Sequence, residues 1–395
     1  MNSLLFNFIF GILLSYVFSL PANSGKGLHV IGNKLYDGNG EEFIMRGVNI
    51  HHNWSASYTE QTIRDAAALG ANSARFVLGG FISWYTDTVE DVEKIVKVCE
   101  DTGVVCVFEI HDYTASDDPA NIDTAIEYWT PFKDLFNAHK DYVILNIANE
   151  WMKSDDGVLW SETYIKAVKR LREIGFECLL MIDCPGNGEG VSPMATYGPS
   201  VVAEDPFNNI IFSLHVLGGI GYDKDVIARH FEELQASGIC WYISELLWRQ
   251  NNIPLAYKFI MKYTALNLIG WHAWSWAGNS NNYADLVDAS TFSKDNIKDY
   301  GKFIFYSKYG IQNTSKLANG RINDVLYNTN PDDAHVEPMD EVSMNFTSNF
   351  DITMEEYEDE VDVESENELD NIVDIDNEQE VNAEIDSELD SKIDN

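Results

Sequence analysis

The chain has 395 residues, 45% hydrophobic and 12% aromatic, enough to bury a large core in one sizeable domain. Its formal net charge of −38 is unevenly spread: 25 acidic residues and one lysine fall between Asp332 and Asn395, so that stretch carries −24 and the remainder −14. Surface this poor in basic groups excludes a nucleic-acid partner, because neutralising phosphates needs lysine and arginine.

Met1 to about Ser24 reads as a secretory signal. Leu4 to Leu20 is almost wholly apolar, and Pro21-Ala-Asn-Ser24 supplies small residues for cleavage. The rival reading, a membrane anchor, meets a run at the short limit for spanning and with Asn7 inside it. No other long apolar run follows, so the expectation is a secreted, extracellular protein, soluble and free of the membrane once the signal is cleaved.

Gly27 to Gly40 reads as a β-hairpin, two short alternating runs joined by Gly32-Asn33 and closed by Asp37-Gly-Asn-Gly40, placed to cap one end of a larger body. From Phe43 the chain alternates apolar strands with amphipathic helices. The strands expected are Ile44 to Ile50, Ser73 to Leu78, Val104 to Ile110, Val143 to Ala148, Leu179 to Ile182, Ile210 to Val216, Trp241 to Ser244 and Leu268 to Trp274. Between them, helical periodicity covers Glu60 to Leu69, Asp87 or Thr88 to Asp101, Asn121 to Ala138, Trp160 to Ile174, Asp223 to Ser237, Pro254 to Leu266 and Asp295 to Tyr306. Eight such units across residues 27–315 predict an α/β fold of the (β/α)8 TIM-barrel type. An open doubly wound sheet is the alternative, and the missing glycine-rich phosphate loop after the first strand speaks against it.

Beyond about Lys316 the pattern stops. Residues 332–395 alternate acids with single Val, Ile or Leu residues and cannot bury enough to offset their ordering entropy, which predicts a disordered acidic tail. Cys99, Cys106, Cys178, Cys184 and Cys240 form no dense framework. Cys178 and Cys184 bracket a strand that would hold them about 20 Å apart, too far to bridge, so buried thiols are expected. Asn53-Trp-Ser55, Asn313-Thr-Ser315 and Asn345-Phe-Thr347 are glycosylation sequons, the first expected to be unused because it sits near the predicted active face.

In a barrel of this kind, functional groups come from the carboxyl ends of the strands. Those ends carry Asn49, His51, His52 and Trp54, then Arg75, His111 and Asp112, then Asn149, Glu150 and Trp151, then His215, Glu245, Trp274 and Trp276. Singly, each has a packing or ion-pair explanation. Together, carboxylates, imidazoles, amides, one guanidinium and several indoles describe a cleft for carbohydrate, where aromatic faces meet sugar rings and polar groups read hydroxyls. Two carboxylates, Glu150 and Glu245, at the same rim are the apparatus of glycoside cleavage.

Asn146-Ile-Ala-Asn-Glu-Trp151, Ile243-Ser-Glu245 and Trp271-His-Ala-Trp-Ser-Trp-Ala-Gly-Asn279 resemble the signatures of glycoside hydrolase family 5. Met45-Arg-Gly-Val-Asn49, Gly70-Ala-Asn72, Arg75 and Glu109-Ile-His-Asp112 resemble, more narrowly, its subfamily 8 endo-β-1,4-mannanases. The resemblance implies retaining hydrolysis of internal β-1,4 linkages in mannans without cofactor or metal, by a chain expected to act as a monomer on a polysaccharide. It implies Glu150 as general acid/base and Glu245 as nucleophile, with Arg75, His111, Asn149, His215 and Trp274 binding substrate. His52, Trp54, Trp151 and Trp276 join them as candidate sugar contacts. Arg75 is expected to favour the ionised Glu245, and Glu150 to keep its proton through a raised pKa.

The chain departs from the family at two places. The tyrosine expected two residues after His215, a donor to the nucleophile, is Leu217, with Tyr222 as the possible replacement, and the family's Gly-Glu-Phe-Gly is Ser244-Glu245-Leu246-Leu247. These departures keep open a carbohydrate-binding pseudoenzyme; an endo-β-1,4-glucanase of the same family and an acidic matrix or surface protein in which the tail matters most are the other readings.

Overall fold

Strand periodicity of two decides which side chains enter the middle of this fold and which face its helices. The computed structural model describes residues 27–80, 86–280 and 282–320. The predicted signal, the acidic tail and the Asn345 sequon lie outside them.

The hairpin forms as expected from β1 (His29–Ile31) and β2 (Lys34–Tyr36), antiparallel, with Gly32 at φ 63° in its turn. Eight parallel strands then close a barrel in chain order: β3 (Arg46–Ile50), β4 (Ser73–Leu78), β5 (Val105–Ile110), β6 (Val143–Asn146), β7 (Leu179–Asp183), β8 (Ile210–Val216), β9 (Trp241–Leu246) and, past a small hairpin of β10 (Arg249–Gln250) and β11 (Ile253–Pro254), β12 (Trp271–Ala273), which returns to pair with β3. The (β/α)8 expectation holds, and the doubly wound alternative falls to the β12–β3 closure.

The helices are α1 (His52–Ser55), α2 (Thr59–Ala68), α3 (Val89–Thr102), α4 (Ala120–Trp129), α5 (Lys133–Ala138), α6 (Gly157–Ile174), α7 (Val191–Ala203), α8 (Lys224–Ser237), α9 (Tyr257–Leu266), α10 (Asp299–Tyr306) and α11 (Ile311–Thr314). Thr88 caps α3 in a reciprocal box with Asp91, and Asp156 and Asp223 cap α6 and α8. Gly103, Gly175 and Gly238 end the same three helices in the left-handed conformation. The single helix expected over Asn121 to Ala138 is broken by a 3-10 turn containing Pro131. Helix α7 was not foreseen, because Pro193, Gly198 and Pro199 disguise it; Pro193 sits in its first turn, where proline costs little. Pro254, expected to open a helix, instead ends β11.

Outward-facing residues such as Ala74, Phe76, Cys106, Phe108, Leu180 and Ile182 join the helices in one apolar shell. The inward-facing set changes along the barrel axis. At the lower end Val105, Val107, Ile144, Leu179, Met181, Ile211 and Tyr242 pack with Leu28, Leu35, Phe43 and Met45, so the hairpin segment seals that end as expected. One step further up, the same inward faces turn polar: Glu109, Asn146, Asp183, Ser213 and His215 are all buried. Apolar packing below thus anchors a polar layer that sits directly under the mouth of the barrel. All five cysteines are buried and free, as anticipated. Among the described residues no helix is long and apolar enough to cross a membrane.

Candidate active site

Arg75 organises the polar layer. Fully buried on β4, its guanidinium donates to Glu245 Oε1 at 2.9 Å, Asn49 Oδ1 at 3.1 Å, Asn146 Oδ1 at 3.2 Å and Asn149 Oδ1 at 2.6 Å. Glu109 and Asp183 stand 3.7 and 3.6 Å from it. Burial works against its charge, but Glu109, Asp183 and Glu245 outweigh that and raise its pKa further. An arginine inside a barrel is tolerable only with this many acceptors around it.

Glu245 reaches this layer through a shift in register. Between β8 and β9 the pairing passes from Leu214 with Ile243 to His215 with Glu245, leaving Ser244 as the extra residue. Strict alternation from Tyr242 would point Ser244 inward and Glu245 outward; the shift turns both in, and Ser244 Oγ meets Ser213 Oγ at 2.5 Å while Glu245 meets Arg75. Glu150 follows β6 with φ 42°, a left-handed conformation held by its amide donating to Asp183 Oδ2 at 3.0 Å. Its Oε1 lies 2.6 Å from His215 Nδ1. The same Nδ1 is 3.6 Å from Glu245 Oε2.

Atoms of Glu150, His215 and Glu245 thus lie within 4.8 Å of one another. Three such donors could in principle converge on a cation, but here Nδ1 is committed to a carboxylate at hydrogen-bond distance, so the arrangement is a hydrogen-bonded pair facing a second carboxylate. The nearest carboxylate oxygens of Glu150 and Glu245 therefore face each other across a gap of at most 4.8 Å, with His215 beside both.

Burial pushes Glu245 up, against the lowering effects of His215 and Arg75. The expected contact with Arg75 is present, but its effect on Glu245 is outweighed by desolvation. His215 is driven the other way from a buried imidazole's usual fate: burial lowers it, yet Glu245 and contacts to Asp183 and Glu150 raise it well above its ordinary value. His111 Nδ1 lies 2.9 Å from Glu109 Oε1, and Glu109 raises it despite burial.

Above this layer is an open cleft of about 460 Å³ lined by His51, Trp54, Leu247, Trp274, Gly278, Asn279, Ser280, Tyr283 and Ala284. Trp54 is 49% exposed, with its ring edge-on to His51 and His111 at 4.9 and 5.6 Å. Trp274 lies 4.8 Å from His51 and is stacked at 6.1 Å on His111. Aromatic faces and polar edges of this kind suit a sugar ring.

The structure brings Arg75, His111, Asn149, Glu150, His215, Glu245, Trp54 and Trp274 together, and withdraws three other candidates. His52 is buried beneath the cleft, with Nδ1 2.7 Å from Thr59 Oγ1 and Nε2 3.3 Å from Asp87. Trp151 and Trp276 are each 1% exposed, and their indole N–H groups donate to the carbonyls of Asp118 and Phe292. All three pack into the walls of the barrel and none lines the cleft. His51 takes the place expected of His52. Asn149 is more enclosed than expected of a sugar contact, its amide donating to Thr114 Oγ1 at 2.9 Å. Tyr222 is 40% exposed, its hydroxyl above Gly218, 2.9 Å from where a Cβ there would lie, and so does not stand in for the missing tyrosine. Asn53 Nδ2 donates to buried Asp87, which fits an unused sequon, whereas Asn313 is exposed on α11.

Asp183 is the polar residue that strand-end reading missed. Counting by two from Leu179 gives Met181 and Asp183 on one face, so the signal was there, hidden because the strand was ended one residue early.

Known proteins resemble this chain over the same region. The model of the cellulase family, glycosyl hydrolase family 5, matches residues 36–280. A mannan endo-1,4-beta-mannosidase from Salipaludibacillus agaradhaerens is 33% identical over 290 residues, covering 73% of this chain and 94% of that protein. One from Streptomyces lividans is 33% identical over 302 residues, covering 74% and 77%. A β-mannanase structure from Streptomyces thermolilacinus with mannohexaose superposes with a TM-score of 0.71 at 32% identity, covering 75% of this chain and 99% of that one. With the closed barrel, the paired carboxylates and a family match across most of the described residues, the chain belongs to glycosyl hydrolase family 5.

Proposed function

We propose that the chain is a secreted endo-β-1,4-mannanase that cleaves internal linkages of mannans with retention of anomeric configuration. The observation that carries this reading is the approach of Glu150 and Glu245 to within 4.8 Å at the mouth of the barrel, beside an indole-lined cleft. Support for mannan as substrate comes from the relatives, named as mannan endo-1,4-beta-mannosidases. Secretion rests on the apolar Leu4 to Leu20 run.

In this reading Glu245 is the nucleophile. Arg75 holds Oε1, leaving Oε2 to attack the anomeric carbon of a sugar lying on Trp274. Glu150 protonates the departing glycosidic oxygen, and a glycosyl ester on Glu245 results. Water then attacks the same carbon as Glu150, now a carboxylate, takes its proton, so two inversions give net retention.

Digestion of mannan beside carboxymethylcellulose, with product anomers followed by NMR, tests the reading. Reducing ends released from mannan with β-anomers appearing first are expected. Release from the glucan alone would shift the substrate to β-1,4-glucan, and α-anomers appearing first would end the double-displacement account.

A further inference from the structure

Beside Glu109, the site contains another buried acid that neither carboxylate role uses. Asp183 ends β7 on the inner face of the barrel, 1% exposed. One oxygen, Oδ2, accepts from the Glu150 amide at 3.0 Å, lies 3.3 Å from His215 Nε2 and lies 3.6 Å from Arg75 Nη2; the other, Oδ1, accepts from Asn146 Nδ2 at 2.9 Å. Each of these neighbours belongs to the catalytic constellation or its frame.

The imidazole of His215 therefore stands between two carboxylates. Its Nε2 is fully buried and, among the described residues, makes no hydrogen bond of good geometry; what faces it at ion-pair distance is Asp183. A lone pair there would lie 3.3 Å from a negative oxygen with no donor to offset it, so Nε2 carries hydrogen. That fixes the tautomer and leaves Nδ1, 2.6 Å from Glu150 Oε1, as the only atom of the ring through which a proton can be exchanged. Gly188 holds the ring in place. Its carbonyl accepts from the His215 amide at 2.7 Å, and a Cβ at Gly188 would lie 2.6 Å from the imidazole.

Resting on the functional reading above, we infer that Asp183 is a positioning residue for the acid step: it pins the His215 ring with Nε2–H toward itself, so that the proton Glu150 delivers is stored on the His215–Glu150 pair. One proton occupies the gap between Nδ1 and Oε1. At rest the proton sits on Nδ1, and the pair is imidazolium and carboxylate; it passes to Oε1 as the leaving oxygen draws it, making Glu150 the competent acid and the ring neutral. When Glu150 gives that proton to the leaving oxygen, the pair is one proton short, and the water that cleaves the glycosyl ester restores it. Asp183 keeps the store filled to higher pH because its charge favours the protonated ring.

The other groups facing the pair are accounted for. Glu245 from β9 adds negative charge near Nδ1, and Glu189, on the loop before α7, adds more at longer range. Arg75 from β4 faces Asp183, while Tyr164 of α6, Tyr242 of β9 and Cys184 border it with neutral side chains. Burial opposes ionisation of Asp183, yet His215, Arg75 and the Glu150 amide hold it down to about 2, so it stays charged throughout the working range.

Two readouts on the full-length protein test this. In ¹⁵N-histidine NMR, with the His215 resonance assigned by its loss in His215→Gln, the wild-type ring should keep both protons beyond pH 7, and in Asp183→Asn it should titrate about one unit or more lower. In kinetics, the alkaline limb of kcat/KM for Asp183→Asn should move acidward by about one unit, with KM changed less than about threefold. A uniform loss of rate with an unmoved limb would overturn the inference. If Asp183→Asn does not fold, the wild-type spectrum still decides, because a His215 ring already neutral at pH 6 overturns it. Absence of turnover on every β-1,4-glycan would sink the functional reading alone, since the NMR titration needs no substrate.

Discussion

Leu217 and Leu247 lie in one apolar cluster, together with Leu255, Ala284 and Trp274. In sequence they are separate departures from the family, one after β8 and one after β9. In the fold both belong to the packing around Trp274, so the missing tyrosine and the altered segment after Glu245 share one apolar environment. Leu217→Tyr alone should clash with Leu247 and gain nothing. The double variant Leu217→Tyr/Leu247→Gly should raise kcat/KM on mannan about tenfold or more, the worth of one charge-assisted hydrogen bond. A double-mutant cycle checks this, and additive effects within about 0.5 kcal/mol would show that the positions are independent.

Glu150→Gln keeps the shape of the acid but cannot donate a proton, so kcat on mannan should fall by about 10²–10⁴. An aryl mannobioside with an acidic phenol needs no protonation on departure; on it the glycosyl ester should accumulate as a burst. Glu245→Gln should lack both the burst and the turnover. Stopped-flow release of the phenol separates the two variants, and a burst surviving in Glu245→Gln would remove it from the nucleophile's role.

Trp54 and Trp151 should respond oppositely to truncation. Trp54 is half exposed at the cleft, so Trp54→Ala should raise KM for mannan about tenfold with little change in melting temperature. Trp151 is 1% exposed and hydrogen-bonded to Asp118, so Trp151→Ala should cost about 3–5 kcal/mol of stability. Calorimetry beside Michaelis kinetics distinguishes a sugar contact from a wall residue.

Stability should fall in acid through two imidazoles. Burial lowers His51 to about 3, with His111 adding to the effect, and burial lowers His272 to about 3, with Arg75 and Arg46 adding. Each ring stays neutral in the folded chain while the unfolded chain takes up protons below about pH 6.5, so each destabilises the fold as pH falls from there toward 3, by on the order of 3 kcal/mol at pH 4. Asp183 adds a loss at lower pH: its depressed value contributes stability above about pH 4 that disappears as pH falls toward 2. The raised pKa of His215 acts in the opposite sense, its contribution being complete below about pH 6.5 and lost as pH climbs through the folded value. Melting temperatures from pH 4 to 7 should show the slope, and His51→Phe should flatten it; an equal slope in that variant would remove His51 from the account.

The sequence by itself determined the barrel, most strand positions to within a residue or two and the two carboxylates, Glu150 and Glu245, that the fold brings together. Apolar runs with period two, helical stripes and caps such as Thr88 are local signals, and the chain repeats them in order. Polar residues closing apolar strands marked the rim, since packing gives a buried strand no reason to carry them. What only the tertiary structure decided was the direction of side chains where the backbone leaves that regular path. One residue of register shift turns Glu245 inward beside Ser244, a left-handed φ aims Glu150 at His215, and the bend after β3 puts His51 rather than His52 in the cleft. The period that reveals a strand predicts orientation only while the period lasts, and a neighbour one position away points to the other face. The inward side of Asp183 was legible from the period of its strand, but its partners were not: Glu150, His215 and Arg75 lie on or just after three other strands, and only barrel closure makes them neighbours.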